Sequence, residues 1–250
     1  MTATSEGTAA AYVYGVVRSG ALRRIEAEGV GGASVEQLES DGLSALVSAV
    51  PNTEVRVKRQ DLHRHLQVLE EAFATTTVLP CPFATVVASN EELENDLLIE
   101  RRKELLSAID QLEDKVQLNV KAVYAEEELL RQIVTSNAEV ARLRETTKRL
   151  GRAGYYAQLE LGELVAAAVA DCRARDADRL LGELEPMAAD AVVEQQRDAA
   201  LKASFLVPRK KLKKFDQAIE TIARREQPLL QFEVIGPLPP TAFAAAYAGT

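Results

Sequence analysis

Val78-Leu79-Pro80-Cys81-Pro82-Phe83-Ala84-Thr85-Val86-Val87 stands in the first half of this 250-residue chain, and Phe232-Glu233-Val234-Ile235-Gly236-Pro237-Leu238-Pro239-Pro240, followed by Phe243, stands near its end. Each stretch joins an apolar, β-prone run to prolines. Proline has no amide proton to give a ladder and holds φ near one value, so each reads as a strand that stops in a set direction. Between and before them the hydrophobic period switches repeatedly between two residues and three to four, the pattern of a mixed α+β chain.

The first half alternates strands and helices. Tyr12–Val17 suits a central strand, and Ser34 with Gln37 reads as a capping box opening a short helix. Gly42 opens a strand over Leu43–Val50, which Pro51 ends. Leu62, Leu66, Leu69 and Phe73 recur at helical spacing, and a third strand carries the first proline motif. Ser89 and Glu92 form a second capping box ahead of a helix whose inner face is Leu98, Leu105, Ile109 and Leu112.

The second half begins with a strand over Leu118–Tyr124, then a helix carrying Leu129, Ile133, Val140, Leu143 and Leu150, with a break at Gly151 to Gly154. Leu161, Val165 and Ala168, then Leu180, Leu184, Met187 and Ala191, predict antiparallel helices, a coiled-coil-like hairpin with a stutter near Asp176. Ala203–Val207 is a strand closed by Pro208, Leu212, Phe215, Ile219 and Ile222 stripe a helix, and Leu229–Ile235 is the last strand. The expected fold is α+β: two ferredoxin-like sandwiches, the second with a long helical insertion. The expected division is a flexible leader over 1–11, an N-terminal domain over 12–116 and a C-terminal domain over 117–250.

Composition narrows the function classes. Hydrophobic residues make up 47% and charged residues 27%, as in ordinary globular proteins and unlike disordered ones. A net charge of −8 argues against nucleic acid as a partner. The two cysteines, Cys81 and Cys172, are far apart and fit a reducing cytosol. No stretch has the charge and apolar pattern of a signal peptide or of a membrane span. The expected location is therefore the cytoplasm, with no membrane contact.

Few residues suggest chemistry. His63 and His65 would share a metal on a strand, but on a helix they point about 200° apart, so both read as exposed helix residues. Cys81, between two prolines, reads as structural, and Cys172 as buried on an alanine-rich helix face. Glu91, Glu92 and Glu94, and Glu126 to Glu128, read as helix starts, where carboxylates meet the positive end of the dipole. Gly151 and Gly154 read as a helix break rather than a clamping loop. No catalytic residue, metal ligand or cofactor-binding residue is expected, since neither a phosphate loop nor a nucleophile elbow occurs. Arg209, Lys210, Lys211, Lys213 and Lys214 place five cations at a helix start, against its dipole, and are candidates for contact with an acidic partner.

Tyr14-Gly15-Val16-Val17, Leu79-Pro80 with Phe83 and Thr85, and Gly236-Pro237 with Pro239-Pro240 and Phe243 resemble, in order and separation, the signature segments of the gas vesicle protein F/L family. Leu161-Gly162-Glu163-Leu164-Val165 is also similar, and the likeness spans Tyr12 to Phe243. Where that family's middle motif has a basic residue before Phe and Gly after it, this chain has Pro82 and Ala84; where its last motif has Trp, this chain has Leu238. The resemblance implies a non-enzymatic accessory or minor structural protein of gas vesicles, the gas-filled protein shells that give cells buoyancy. Its implied partners are the small, apolar major shell subunit and other gas vesicle accessory proteins, with Leu238 and Phe243 joining the basic cluster as candidate contacts. The competing expectation is a two-domain ligand-sensing regulatory module, since paired sheets of this kind bind small molecules. An enzyme with an unrecognised site ranks last.

Overall fold

β1 (Ala10–Arg18) is buried along eight of its nine residues, and everything in the first half of the molecule is arranged around it. The computed structural model describes residues 10–51, 53, 58–194 and 199–248. The expected leader lies outside the described residues up to position 9, while Ala10 and Ala11 already belong to β1.

Two compact units emerge, one of residues up to Gln117 together with those from Pro237 onward, the other running from Leu118 to Gly236. In the first, β1 pairs antiparallel with β3 (Leu43–Val50), and β3 with β2 (Glu36–Ser40). Asp41 and Gly42 both take positive φ, 44° and 86°, the conformation that closes a two-residue hairpin in the sense of the strand twist. The helix expected after Ser34 is therefore the strand β2. Asp41-Gly42 is the deciding signal, because its turn makes the segment a hairpin strand despite Ser34 and Gln37.

Helix α1 (Arg59–Thr75) buries His65, Val68, Leu69, Ala72 and Phe73, leaving Leu62 and Leu66 exposed. Its inner face is thus rotated from the leucine stripe. The third strand is split into β4 (Leu79–Pro80) and β5 (Val86–Val87), both antiparallel to β1. Ser89 caps α2 (Asn90–Glu92) by accepting from the Glu92 amide at 3.1 Å, as its capping pattern predicts. The chain continues through a wider turn over Leu93–Ile99 into α3 (Arg102–Leu112), and Leu98, Leu105, Ile109 and Leu112 are all buried.

In the second unit β6 (Lys115–Tyr124) leads to α4 (Glu126–Ser136), α5 (Ala138–Leu150) and α6 (Tyr155–Leu184). Asn137 splits the single helix expected there, because its side chain caps α5 by accepting from the Glu139 and Val140 amides. The stutter expected near Asp176 does not break the chain: α6 is one helix of 30 residues. Along its first half Leu161, Leu164, Val165 and Ala168 pack around Leu129, Ile133, Val140 and Cys172. Further on, Leu180 and Leu184 are buried where α6 meets β8. The shift in hydrophobic phase marks a change of packing partner, not a turn. β7 (Asp190–Val193) and β8 (Ala199–Pro208) pair antiparallel, and α7 (Leu212–Glu226) and β9 (Leu230–Leu238) follow. Ala191 lies in β7, not in a helix.

Both sheets share one order. The first runs β2-β3-β1-β4, with β5 also on β1, and the second β7-β8-β6-β9. Counting strands within each unit, both read second, third, first, fourth, the order of a ferredoxin-like split βαβ fold. The difference lies in the first crossover. In the first unit it carries only a 3-10 turn, Val30–Gly32; in the second it carries α4, α5 and α6.

The C-terminal stretch was expected in the second domain, but from Pro237 onward it groups with the first. The reason is burial: Pro239, Pro240, Phe243 and Ala244 are buried, and α8 (Ala244–Ala248) packs on α3. The Gln117 carboxamide accepts from the Ala242 amide at 2.9 Å. Phe243→Ala should destabilise the protein by roughly 3–5 kcal/mol, the range for removing a buried phenylalanine ring, as measured by urea unfolding.

Candidate functional site

The middle proline motif wraps the central strand. Pro80 sits opposite Gly15 in the β1–β4 ladder, and Val86 opposite Tyr12 in β1–β5. Between them the Cys81 amide donates to the Tyr14 carbonyl, and the Val13 amide to the Thr85 carbonyl. Gly15 is required here, since a Cβ would stand 2.8 Å from the Leu79 carbonyl oxygen. Ala84 holds φ at 69°, a left-handed conformation that favours glycine, the residue usual at this point of the gas vesicle F/L motif.

Two buried tyrosines organise the motif. The Tyr12 hydroxyl accepts from the Ala84 amide at 2.9 Å and lies 3.0 Å from His65 Nδ1, to which its proton is free to go. The Tyr14 hydroxyl accepts from the Val30 amide at 2.7 Å and meets Ser48 Oγ at 2.8 Å. His65 stacks on Tyr14 and meets Phe83 edge-on, with ring centroids 5.6 Å apart in each pair. Burial lowers the His65 pKa to about 4, against the opposing effect of its hydrogen bond to the Cys81 backbone. The expectation of two exposed histidines therefore holds for His63 alone. His65 is buried because the inner face of α1 runs through Asp61 and His65, not Leu62 and Leu66.

The surrounding groups are quiet chemically. The Asp61 carboxyl is held below its ordinary pKa chiefly by the Lys58 amide, then by Gly31 and Arg64. Burial of its sulfur pushes the Cys81 thiol up to about 12, so it is protonated at neutral pH, although the residue as a whole is only half-buried. Cys172 is buried among apolar side chains, with Arg175 Nη2 3.3 Å from its sulfur. Glu126, Glu127 and Glu128 occupy the first turn of α4, and Glu91 and Glu92 that of α2, as helix-starting residues.

The candidate contact residues separate. Arg209, Lys210 and Lys211 form a 3-10 turn that opens α7, and Lys213 and Lys214 are exposed in its first turn. Lys211 Nζ donates to the Pro186 carbonyl at 3.2 Å. Leu238 is half-buried and Phe243 fully buried in the tail. Phe243 anchors the tail in this structure and is not available as a surface contact.

Exposed apolar surface is concentrated elsewhere in the second unit. Both edge strands of its sheet show it, β7 through Val192 and Val193, β9 through Val234 and Ile235. A groove of about 650 Å³ runs between α4, α5 and α6, lined by Leu130, Val134, Val140, Leu161 and Val165, with Arg131 and Arg144 beside them. Hydrophobic period cannot show such a groove, because its residues fit the same stripes as the core. Opposite it in character, ion pairs tie α6 to α7, Arg179 to Glu226 and Arg225 to Glu183, each at 2.7 Å, and Arg179 also meets Asp176 within α6. No helix among the described residues is long and apolar enough to cross a membrane.

With this geometry in hand, likeness to known proteins is decisive. The family model "Gas vesicle synthesis protein GvpL/GvpF" matches residues 10–245. The chain belongs to that family. It is 36% identical to gas vesicle protein F of Streptomyces sp. strain CB03234 over 93% of its length and 98% of the relative's. Its fold is that of the crystal structure of GvpF from Anabaena sp. PCC7120, with a TM-score of 0.78 at 21% identity, covering 95% of this chain and 96% of that one. GvpF from Microcystis aeruginosa matches with a TM-score of 0.72 at 22% identity, over 95% of this chain and 99% of the other.

Two outcomes follow for the motif. Ala84→Gly should raise stability by about 1 kcal/mol in chemical denaturation, relief of the left-handed strain outweighing the looser unfolded chain. Because the His65 pKa is depressed from 6.5 to about 4 on folding, the unfolded state binds the extra proton between those values. Stability should fall by about 3 kcal/mol as pH drops through that window. His65→Gln should flatten that slope in unfolding curves taken from pH 7 to 4.

Proposed function

We propose that this family member is a non-enzymatic gas vesicle assembly protein that binds the small apolar shell subunit and keeps it from aggregating before it joins the shell. The observation that carries the reading is the exposed apolar surface of the second unit, in a chain belonging to a gas vesicle synthesis family. An apolar subunit awaiting assembly needs a surface that covers its strands or helices reversibly. Unpaired sheet edges bearing valine and isoleucine accept a strand, and an apolar groove between helices accepts the ridge of an amphipathic helix. The titrating groups support the same view, since the buried His65 and the half-buried Cys81 are shifted away from the poise of acid–base or nucleophilic groups.

In this reading the protein works in the cytoplasm and at the vesicle, alongside other gas vesicle accessory proteins. The basic turn at Arg209 to Lys214 steers acidic segments of a partner toward the second unit, a contribution that shows in association rate and salt dependence.

Coexpression of tagged protein with the major shell subunit, followed by pull-down and gel filtration, tests the proposal. A soluble, co-migrating complex is expected, and Leu130→Glu in the groove should reduce recovered subunit by about tenfold, as a charge set in an apolar contact does. Absence of the subunit from the eluate, with both chains expressed and folded, would overturn it.

A further inference from the structure

The basic turn that opens α7 stands at one end of a second, smaller cleft. Where the chain leaves α6 through Pro186 and Met187, α7 passes beside it, and a shallow cleft of about 310 Å³ lies between them. Met187, Ala218 and Ile222 form its apolar floor, and Lys214, Gln217 and Glu183 stand around it. Lys211 reaches the same end, since its Nζ donates at 3.2 Å to the carbonyl of Pro186, the neighbour of Met187. It precedes Lys214 by three residues, the spacing that puts two side chains on one side of a helical turn.

Charge around the cleft is one-sided. The Glu183 carboxylate is already taken: Arg225 grips both its oxygens, at 2.7 and 2.9 Å, and Arg179 lies 3.6 Å away. Lys210, Lys213 and Lys214 are exposed and have no ion pair among the described residues. In the neighbouring stretches of chain, Glu185, Asp190 and Asp216 face five cations, and Asp190 turns back onto the Ala191 amide at 2.8 Å. The ammonium groups repel one another and the positive end of the α7 dipole, so a carboxylate laid there is attracted by both.

The charge of the whole chain says which anion fits. With the five cations of Arg209 to Lys214 set aside, 25 basic residues remain against 38 acidic ones. A nucleic acid or an anionic membrane spreads over a wide surface and meets that excess, while a short acidic segment touches only the turn. The apolar floor in turn favours an apolar side chain, which a protein segment supplies.

We propose that this cleft is the docking site for a short acidic segment of a partner protein, one that carries an apolar side chain between carboxylates. The apolar side chain takes the floor of Met187, Ala218 and Ile222, and the carboxylates meet Lys211 and Lys214. The assignment rests on the reading of the basic turn as a partner contact, and not on the shell subunit being that partner. The subunit pull-down and the test below can therefore fail separately.

The experiment titrates the full chain into three short labelled peptides: one rich in glutamate with a central leucine, its lysine counterpart, and the glutamate peptide with serine for leucine. Fluorescence anisotropy should show the first binding about tenfold tighter than either of the others, although the net charge of the chain favours the lysine peptide. The margin over the lysine peptide should shrink at high salt. Lys211→Gln with Lys214→Glu should abolish the binding. The fold should persist, since a carboxylate at a helix start is favoured and Gln keeps a donor for Pro186. Lys148→Gln with Arg142→Glu, an equal change of charge at exposed sites outside the cleft, should leave the binding intact. No binding, a lysine or serine peptide as tight as the first, or equal loss in both variants overturns the proposal. So does tighter binding of single-stranded DNA or of phosphatidylserine vesicles that Lys211→Gln with Lys214→Glu removes, which would make the occupant a nucleic acid or a membrane.

Discussion

A phenol hydroxyl buried in a protein must find hydrogen-bond partners, and on β1 two of them lie two residues apart. Tyr12 and Tyr14 are fully buried, and leaving either hydroxyl unpaired would cost about 1–3 kcal/mol. Tyr12 takes the Ala84 amide and His65; Tyr14 takes the Val30 amide and Ser48. One strand thereby draws together the middle proline motif, helix α1, the turn before β2, and β3. The crossover from β1 to β2 has no α-helix to hold it to the sheet. It is pinned instead by polar contacts: Tyr14 at Val30, and the Glu71 carboxylate on the Glu26 and Ala27 amides at 2.7 and 2.8 Å.

The same strand order built twice makes the two units a natural comparison. Where the first crossover is a pinned loop, its counterpart is three helices long, and there the exposed apolar surface gathers. A ferredoxin-like sheet is a general scaffold that carries no function of its own, so function resides in what is grafted on it. In this member of the GvpL/GvpF family the largest addition to the second sheet is the α4–α6 segment. A basic turn opens α7 in the same unit, while α6 carries charges of both signs on its outer side.

Some of this was legible early. The reading of Leu43–Val50 has its true ends, because a short apolar run bounded by Gly42 and Pro51 leaves little freedom. The stripe of Leu98, Leu105, Ile109 and Leu112 and the alternation of Leu118, Val120 and Ala122 were also correct. Errors came where two codes overlapped. Ser34 and Gln37 imitate a helix start, yet Asp41-Gly42 turns that segment into a hairpin strand. Leu62 and Leu66 form a better stripe on paper than Asp61, His65 and Val68, but a histidine and a carboxylate become interior residues once Tyr12, Lys58 and Gly31 satisfy them. Of the candidate contacts, the basic turn was visible as a charge run. The burial of Phe243 was not, since a terminal aromatic looks the same whether it anchors or protrudes.

The order of residues alone determined the α+β class, most strands and helices, and the family. Those depend on local period, turn chemistry and short motifs, which act over a few residues. Tertiary structure decided the strand order, the return of the tail to the first unit, the burial of His65 and the open groove between α4, α5 and α6. Each of these depends on which faces meet across long chain separations. A hydrophobic stripe says that a face wants cover, and only the packed chain says whether it has found any.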